Sequence, residues 1–116
     1  MRSESFGSVQ IFWPAFSRET LIERLRERAA DLNAELPIEQ VVLFGSWAQG
    51  RATVRSDIDI LVVYRDPERA DAFEIVRRCL DTPGIEPHVY TTTEAASLSA
   101  TLARMTEHSV PLFPIL

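Results

Sequence analysis

Two runs decide how this chain is read: Gln40-Val41-Val42-Leu43-Phe44-Gly45-Ser46-Trp47-Ala48-Gln49-Gly50 and Ser56-Asp57-Ile58-Asp59-Ile60-Leu61-Val62-Val63-Tyr64. Apolar and β-branched residues fill positions 41–44 and stop at Gly45, the pattern of a buried strand. Gly45 lets the backbone come close to a ligand, Ser46 offers a hydroxyl and a helix cap, and Trp47 to Gln49 give a short helical turn before Gly50. Free backbone N–H groups in such a bend would face an anion. The second run has strand composition, and alternation places Asp57 and Asp59 on one face and Ile58 and Ile60 on the other. Side chains at i and i+2 stand roughly 7 Å apart, far enough for both carboxylates to ionise and close enough for divalent cations to bridge them. Mg²⁺ suits the pair, because it takes one or two carboxylates and completes its octahedron with water and substrate phosphates.

An isolated Asp-x-Asp is commonly solvated surface. Here the pair opens a strongly apolar strand, where unpaired carboxylates are costly without a ligand. Two rival motifs fail. Gly45-x-x-x-x-Gly50 has P-loop spacing, but Arg51-Ala52 stands where Lys and Ser/Thr are needed. An EF-hand loop starting at Asp57 would put Leu61 at its third ligand position, and no glycine follows.

Gly45-Ser46, then ten residues, then Asp57-x-Asp59 resembles the signature of the polymerase-β-like nucleotidyltransferase superfamily, and the short chain looks like its minimal nucleotidyltransferase (MNT) branch. The resemblance covers residues 18–110, with diagnostic identity in 44–63. It implies an α/β (α+β) fold, a small mixed β-sheet backed by helices as in the polymerase-β palm, forming one minimal domain over 1–116 with its core at about 18–110. It also implies a reaction: a hydroxyl attacks the α-phosphate of a nucleoside triphosphate, with ATP the expected substrate, and pyrophosphate leaves between two Mg²⁺ ions. Carried over residue by residue, Asp57 and Asp59 would bind the metals, while Ser46 and the amides of Gly45 and Trp47 would hold the β- and γ-phosphates. Arg51 and Arg55 flank the motif and are candidate triphosphate contacts, with surface solvation as their ordinary role.

Members of the superfamily generally use a third carboxylate on a neighbouring strand. The candidate strand is Gly84-Ile85-Glu86-Pro87-His88-Val89-Tyr90-Thr91, where Glu86 and His88 share a face by alternation and His88 stands where an Asp is common. Either would ligate metal or accept the proton of the incoming hydroxyl. The residues alone leave open a strand-edge charge for Glu86 and an ordinary half-buried imidazole for His88. Pro87 removes a ladder donor, which predicts an edge strand or a bulge.

With 116 residues and 46% apolar content the chain can bury one core. The net charge of −5 argues against broad nucleic-acid binding, which draws on basic patches. All 12 basic residues are arginine. Cys79 stands alone, so a reducing cytoplasmic setting is expected, and it sits in the apolar set Phe73, Val76, Leu80 of a predicted helix. No signal peptide or membrane span is apparent.

Ser17 can cap a helix with the stripe Leu21, Leu25, Ala29 and Leu32, ended by Pro37. Asp66-Pro67 reads as the cap and first-turn proline of a helix through about Leu80, and Thr93 opens a last helix marked by Ala95, Leu98, Leu102 and Met105. The expected order is α-β-turn-β-α-β-α. Phe6, Ile11, Phe12, Trp13 and Phe16 precede the first helix, residues 8–13 read as a further short strand, and Val110 to Leu116 closes the chain almost without polar atoms. Such a tail either marks an interface or folds back on the core.

Larger nucleotidyltransferases carry a further domain that grips base and acceptor, which this length cannot supply. The resemblance therefore implies a binary system, with the chain as the antitoxin-type partner of a small helical protein of the HEPN class and AMP moved from ATP to a hydroxyl of that partner. The alternative is a non-catalytic nucleotide- or protein-binding module that neutralises a HEPN-type partner by complex formation.

Overall fold

Ser17 caps the first helix of the computed structural model, which describes residues 17–53 and 55–114; its Oγ accepts from the Thr20 amide at 3.1 Å. Helix α1 (Arg18–Glu35) buries Leu21, Leu25, Ala29 and Leu32, the predicted stripe, and stops where Leu36 turns extended before Pro37. Strand β1 (Ile38–Phe44) and strand β2 (Ile58–Tyr64) pair antiparallel. Helix α2 (Ala72–Leu80) then returns the chain to β3 (Ile85–Thr91), which lies parallel to β2. Two short helices, α3 (Thr92–Ser97) and α4 (Ser99–Met105), precede β4 (Val110–Phe113). The sheet order is β3-β2-β1-β4.

Alternation divides the two faces of the sheet. Val41 and Leu43 of β1, Ile58, Ile60, Val62 and Tyr64 of β2, and Leu112 of β4 pack against α1 and α2 in the main core. The opposite face is apolar only in part: Val42, Leu61 and Val63 pack on Leu102 of α4, with Phe44, Tyr90 and Met105 around them. The helices that cover this face leave the Asp59 end of β2 open, where Asp59, Glu86 and His88 lie. Arginines of α1 tie segments distant in sequence to that helix. Arg24 donates to Thr82 Oγ1 (3.1 Å) and the Asp81 carbonyl (2.5 Å), and Arg26 donates to the Pro111 carbonyl of β4 (3.1 and 3.3 Å).

Several expectations change. Residues 66–71 form no helix, and α2 starts at Ala72. The Asp66 carboxylate instead accepts from the amide and hydroxyl of Thr93 at the start of α3, while the Arg69 amide donates to Tyr64 Oη at 3.0 Å, holding this stretch as a turn. The last helix is broken at Leu98, whose amide is shared between the Ala95 and Glu94 carbonyls while Ser97 Oγ also takes the Glu94 carbonyl at 2.9 Å. Phe73 faces outward, 47% exposed, because α2 buries Ala72, Ile75, Val76, Cys79 and Leu80. Cys79 packs as expected; burial pushes its thiol above the ordinary range, the opposite of an activated nucleophile. The C-terminal tail folds back: residues 110–113 pair with β1 as a fourth strand and Leu112 is fully buried. β3 is an edge strand, as Pro87 predicts. The apolar residues before Ser17, the strand read at residues 8–13, and the last two residues lie outside the described residues.

Candidate active site

Three strand ends converge on the open part of the sheet. β1 and β2 are antiparallel and β2 and β3 parallel, so the C-terminal end of β1 meets the N-terminal ends of β2 and β3. The register sets Phe44 opposite Asp59 and Asp59 opposite Glu86, and residues paired across a sheet project to the same side. Asp57 precedes the first residue of β2 and is exposed; Asp59, within the strand, is half-buried. Their neighbours Ile58 and Ile60 enter the main core, so the two acids share the open face.

The bend after β1 lies directly on Asp59. Gly45 has φ +79°, and a Cβ there would collide with Asp59 Oδ2 and stand 3.3 Å from its Cγ. Only glycine accepts both that conformation and that approach. Residues 46–50 form a hydrogen-bonded turn, with the Gln49 amide on the Gly45 carbonyl (3.2 Å) and the Arg51 amide on the Ser46 carbonyl (2.9 Å). Among the described residues, the amides of Ser46, Trp47 and Ala48 donate to no protein acceptor. Trp47 packs on the main core and its indole N–H reaches the Ser56 carbonyl at 3.4 Å, joining the bend to the approach to β2. Ser56 in turn accepts from the Thr53 amide at 2.9 Å.

His88 comes to Asp59 from β3. Its Nε2 lies 3.9 Å from Asp59 Oδ1, beyond hydrogen-bond length but within electrostatic range, and its ring meets Phe44 edge-on with centroids 5.3 Å apart. Phe44 and His88 come from strands on either side of β2, so their contact spans it and helps enclose the acid. Burial pushes the Asp59 carboxyl above the usual carboxylate range; His88 opposes that rise and the charge of Asp57 adds to it. Two acids thus share one open shelf where, among the described residues, His88 alone stands near as a basic group, the donor chemistry that favours a divalent cation. Among the described residues no group of three or more His, Cys, Asp or Glu side chains is placed to enclose an ion. The pair fits Mg²⁺, whose remaining positions are commonly filled by water and phosphate oxygens.

Of the other predicted site residues, Glu86 is level with Asp59 on β3 and exposed. Arg51 is exposed and donates to Gln49 Oε1 at 3.1 Å, and Arg55 sits exposed in the turn before Ser56. The structure therefore brings Gly45, Ser46, Trp47, Asp57, Asp59, Glu86 and His88 to one end of the sheet, and shows neither arginine in contact with the acids. One residue at the bend was not picked out from the sequence. Arg18 reaches from the first turn of α1 to the carbonyls of Trp47 and Ala48. Its only sequence signal is a cation at a helix N-terminus, against the helix dipole.

The model of the nucleotidyltransferase domain family matches residues 22–109, most of the chain. The chain belongs to that family. The bend, the acid pair and the β3 register all fall inside the matched span. A curated relative from Methanocaldococcus jannaschii, named Putative protein adenylyltransferase, is 38% identical over 45 residues, 39% of this chain. That match spans 46% of the relative, about half its length. Among solved structures, a putative nucleotidyltransferase from Sulfolobus solfataricus superposes with a TM-score of 0.59 at 23% identity over 90% of each chain. The complex of tri-AMPylated Shewanella oneidensis HEPN toxin with MNT antitoxin matches with a TM-score of 0.54 at 18% identity, over 85% of this chain and 74% of that one. At these identities the likeness is one of fold.

Proposed function

We propose that this nucleotidyltransferase, acting as one minimal domain with its core at 18–110, moves AMP from ATP to a hydroxyl of a protein partner in a Mg²⁺-dependent reaction, and that the partner is a HEPN-type toxin in the cytoplasm. The observation that carries the reading is the close packing of the Gly45 bend on Asp59, beside Asp57. Amides that donate to no acceptor among the described residues, together with the two carboxylates, would then meet one triphosphate. Asp57 and Asp59 would hold magnesium, which when bound supplies neutralisation of the charge on the triphosphate and on departing pyrophosphate. The Ser46 hydroxyl and the Gly45 and Trp47 amides would bind and orient the β- and γ-phosphates. The acceptor oxygen forms a bond to the α-phosphorus as the bond from that phosphorus to the bridging oxygen of pyrophosphate breaks. His88, in its uncharged form, would accept the hydroxyl proton at Nε2, with Glu86 on the same strand face as the other candidate base. The HEPN partner and the AMP transfer are supported by the Shewanella complex, and the protein acceptor by the name of the Methanocaldococcus relative.

The test is incubation with α-labelled ATP, Mg²⁺ and a HEPN-type partner. Label should pass to the partner, and Asp57→Ala should cut transfer by about 10²-fold or more. A wild-type protein that moves no label, with Asp57→Ala still controlling the toxin, would end the enzymatic reading. His88 at the position commonly held by Asp favours a second reading, a module that neutralises its partner by binding alone. That module would bind ATP with Mg²⁺ and release no pyrophosphate.

A further inference from the structure

We infer that Arg18 is a positioning residue for the phosphate-binding bend, an inference that rests on the proposed reading of Gly45–Trp47 as the triphosphate cradle. Arg18 is the first residue of α1, 29 and 30 positions from the groups it holds: its Nε donates to the Trp47 carbonyl at 3.0 Å and its Nη2 to the Ala48 carbonyl at 2.7 Å. The guanidinium is planar and its two donors are fixed relative to one another, so it sets the orientation of two successive peptide groups at once. The bend's own hydrogen bonds use other carbonyls, those of Gly45 and Ser46. Without Arg18, the Trp47 and Ala48 carbonyls would have no described protein partner.

A peptide plane is rigid. Fixing the Trp47 carbonyl therefore fixes the amide of Ala48, and fixing the Ala48 carbonyl fixes the amide of Gln49, which closes the turn onto Gly45. Trp47 is anchored from its other side by its ring in the core and its indole N–H on Ser56. The bend is thus held by Gly45 on Asp59, by Trp47 on the core and by Arg18 on its carbonyls. The same guanidinium places a positive charge behind the cradle, where it favours an anion on the amide side. A cation in the first turn of α1 acts against the helix dipole. The clamp offsets that cost locally, which accounts for an arginine where an acid would suit the helix. Arg24 makes a comparable two-point clamp on residues 81 and 82, without contact to the bend, and serves as the control.

The experiment compares wild type, Arg18→Ala, Arg18→Lys and Arg24→Ala by NMR titration with ATP and, separately, AMP, each with Mg²⁺, alongside thermal unfolding. Because the bend grips the β- and γ-phosphates, Arg18→Ala should weaken ATP binding about tenfold while leaving AMP binding unchanged. Arg18→Lys, with one ammonium in place of a fork, should fall between. Arg24→Ala should lower the melting temperature without altering the ratio of ATP to AMP affinity. Unchanged ATP affinity in both Arg18 variants would overturn the inference, as would an equal loss for ATP and AMP, the signature of a purely structural role. A wild-type protein that binds neither nucleotide would defeat the parent reading of the site, and this one with it.

Discussion

Asp59 is where the proposed chemistry and the stability of the molecule conflict. Its carboxyl is pushed up first by burial and further by Asp57, with His88 acting against the rise. A group whose folded pKa lies above its unfolded value binds protons more tightly when folded, so its contribution is favourable at low pH and is lost as pH rises through the folded value. At neutral pH and without divalent ions the ionised Asp59 therefore costs stability. Asp59→Asn should raise the melting temperature at pH 7 in chelator by on the order of 2 °C, with the gain vanishing toward acid pH, while abolishing nucleotidyl transfer. Calorimetry across pH would show it, and a variant less stable than wild type at pH 7 would contradict the assignment of burial as the dominant cause. At this scale the sequence was legible where one residue type has one physical use: Gly45 at a positive φ, and acids alternating with Ile58 and Ile60. It was silent on Arg18, because a side chain that reaches across 29 positions leaves no local pattern.

Elements were read well where periodicity controls them and poorly where polar side chains do. α1, β1, β2 and β3 follow from apolar spacing, and each was found within two residues of its expected bounds at the site end. The stretch 66–71 was misread because Asp66 caps a helix remote in sequence: its carboxyl, held low by the Thr93 hydroxyl and amide, serves α3 instead of α2. α3 also carries its own capping box, in which Thr91 Oγ1 accepts from the Glu94 amide at 3.1 Å and Glu94 Oε1 accepts from the Thr91 amide at 2.9 Å. Thr91 is buried and ends the strand that brings Glu86 and His88 to the site. Thr91→Ala should therefore destabilise the protein by about 1–2 kcal/mol in denaturant unfolding. A loss of only a few tenths of a kcal/mol would show that packing on Leu102, not the cap, fixes α3.

For the whole molecule, one sheet carries a complete core on one face and a divided surface on the other. α1 and α2 bury the first face, and α3 and α4 cover the second only away from Asp59, which leaves the acid pair, the bend and the start of β3 on an open shelf. Among the described residues no helix is long and apolar enough to cross a membrane. The open shelf suits an acceptor that is itself a folded surface, as in the proposed transfer to a protein. The C-terminal strand was the hardest feature to foresee, since Val110 to Phe113 has the composition of either an interface or an edge strand, and only pairing with β1 decides between them. Paramagnetic broadening by Mn²⁺, added with a non-hydrolysable ATP analogue and followed amide by amide in NMR spectra, tests the shelf most directly. A metal and nucleotide site on the shelf requires that Gly45 to Ala48, Asp57 to Ile60, Glu86 and His88 broaden first, and that Asp57→Ala with Asp59→Asn removes the effect. Broadening centred elsewhere, or unchanged in the double variant, would contradict it.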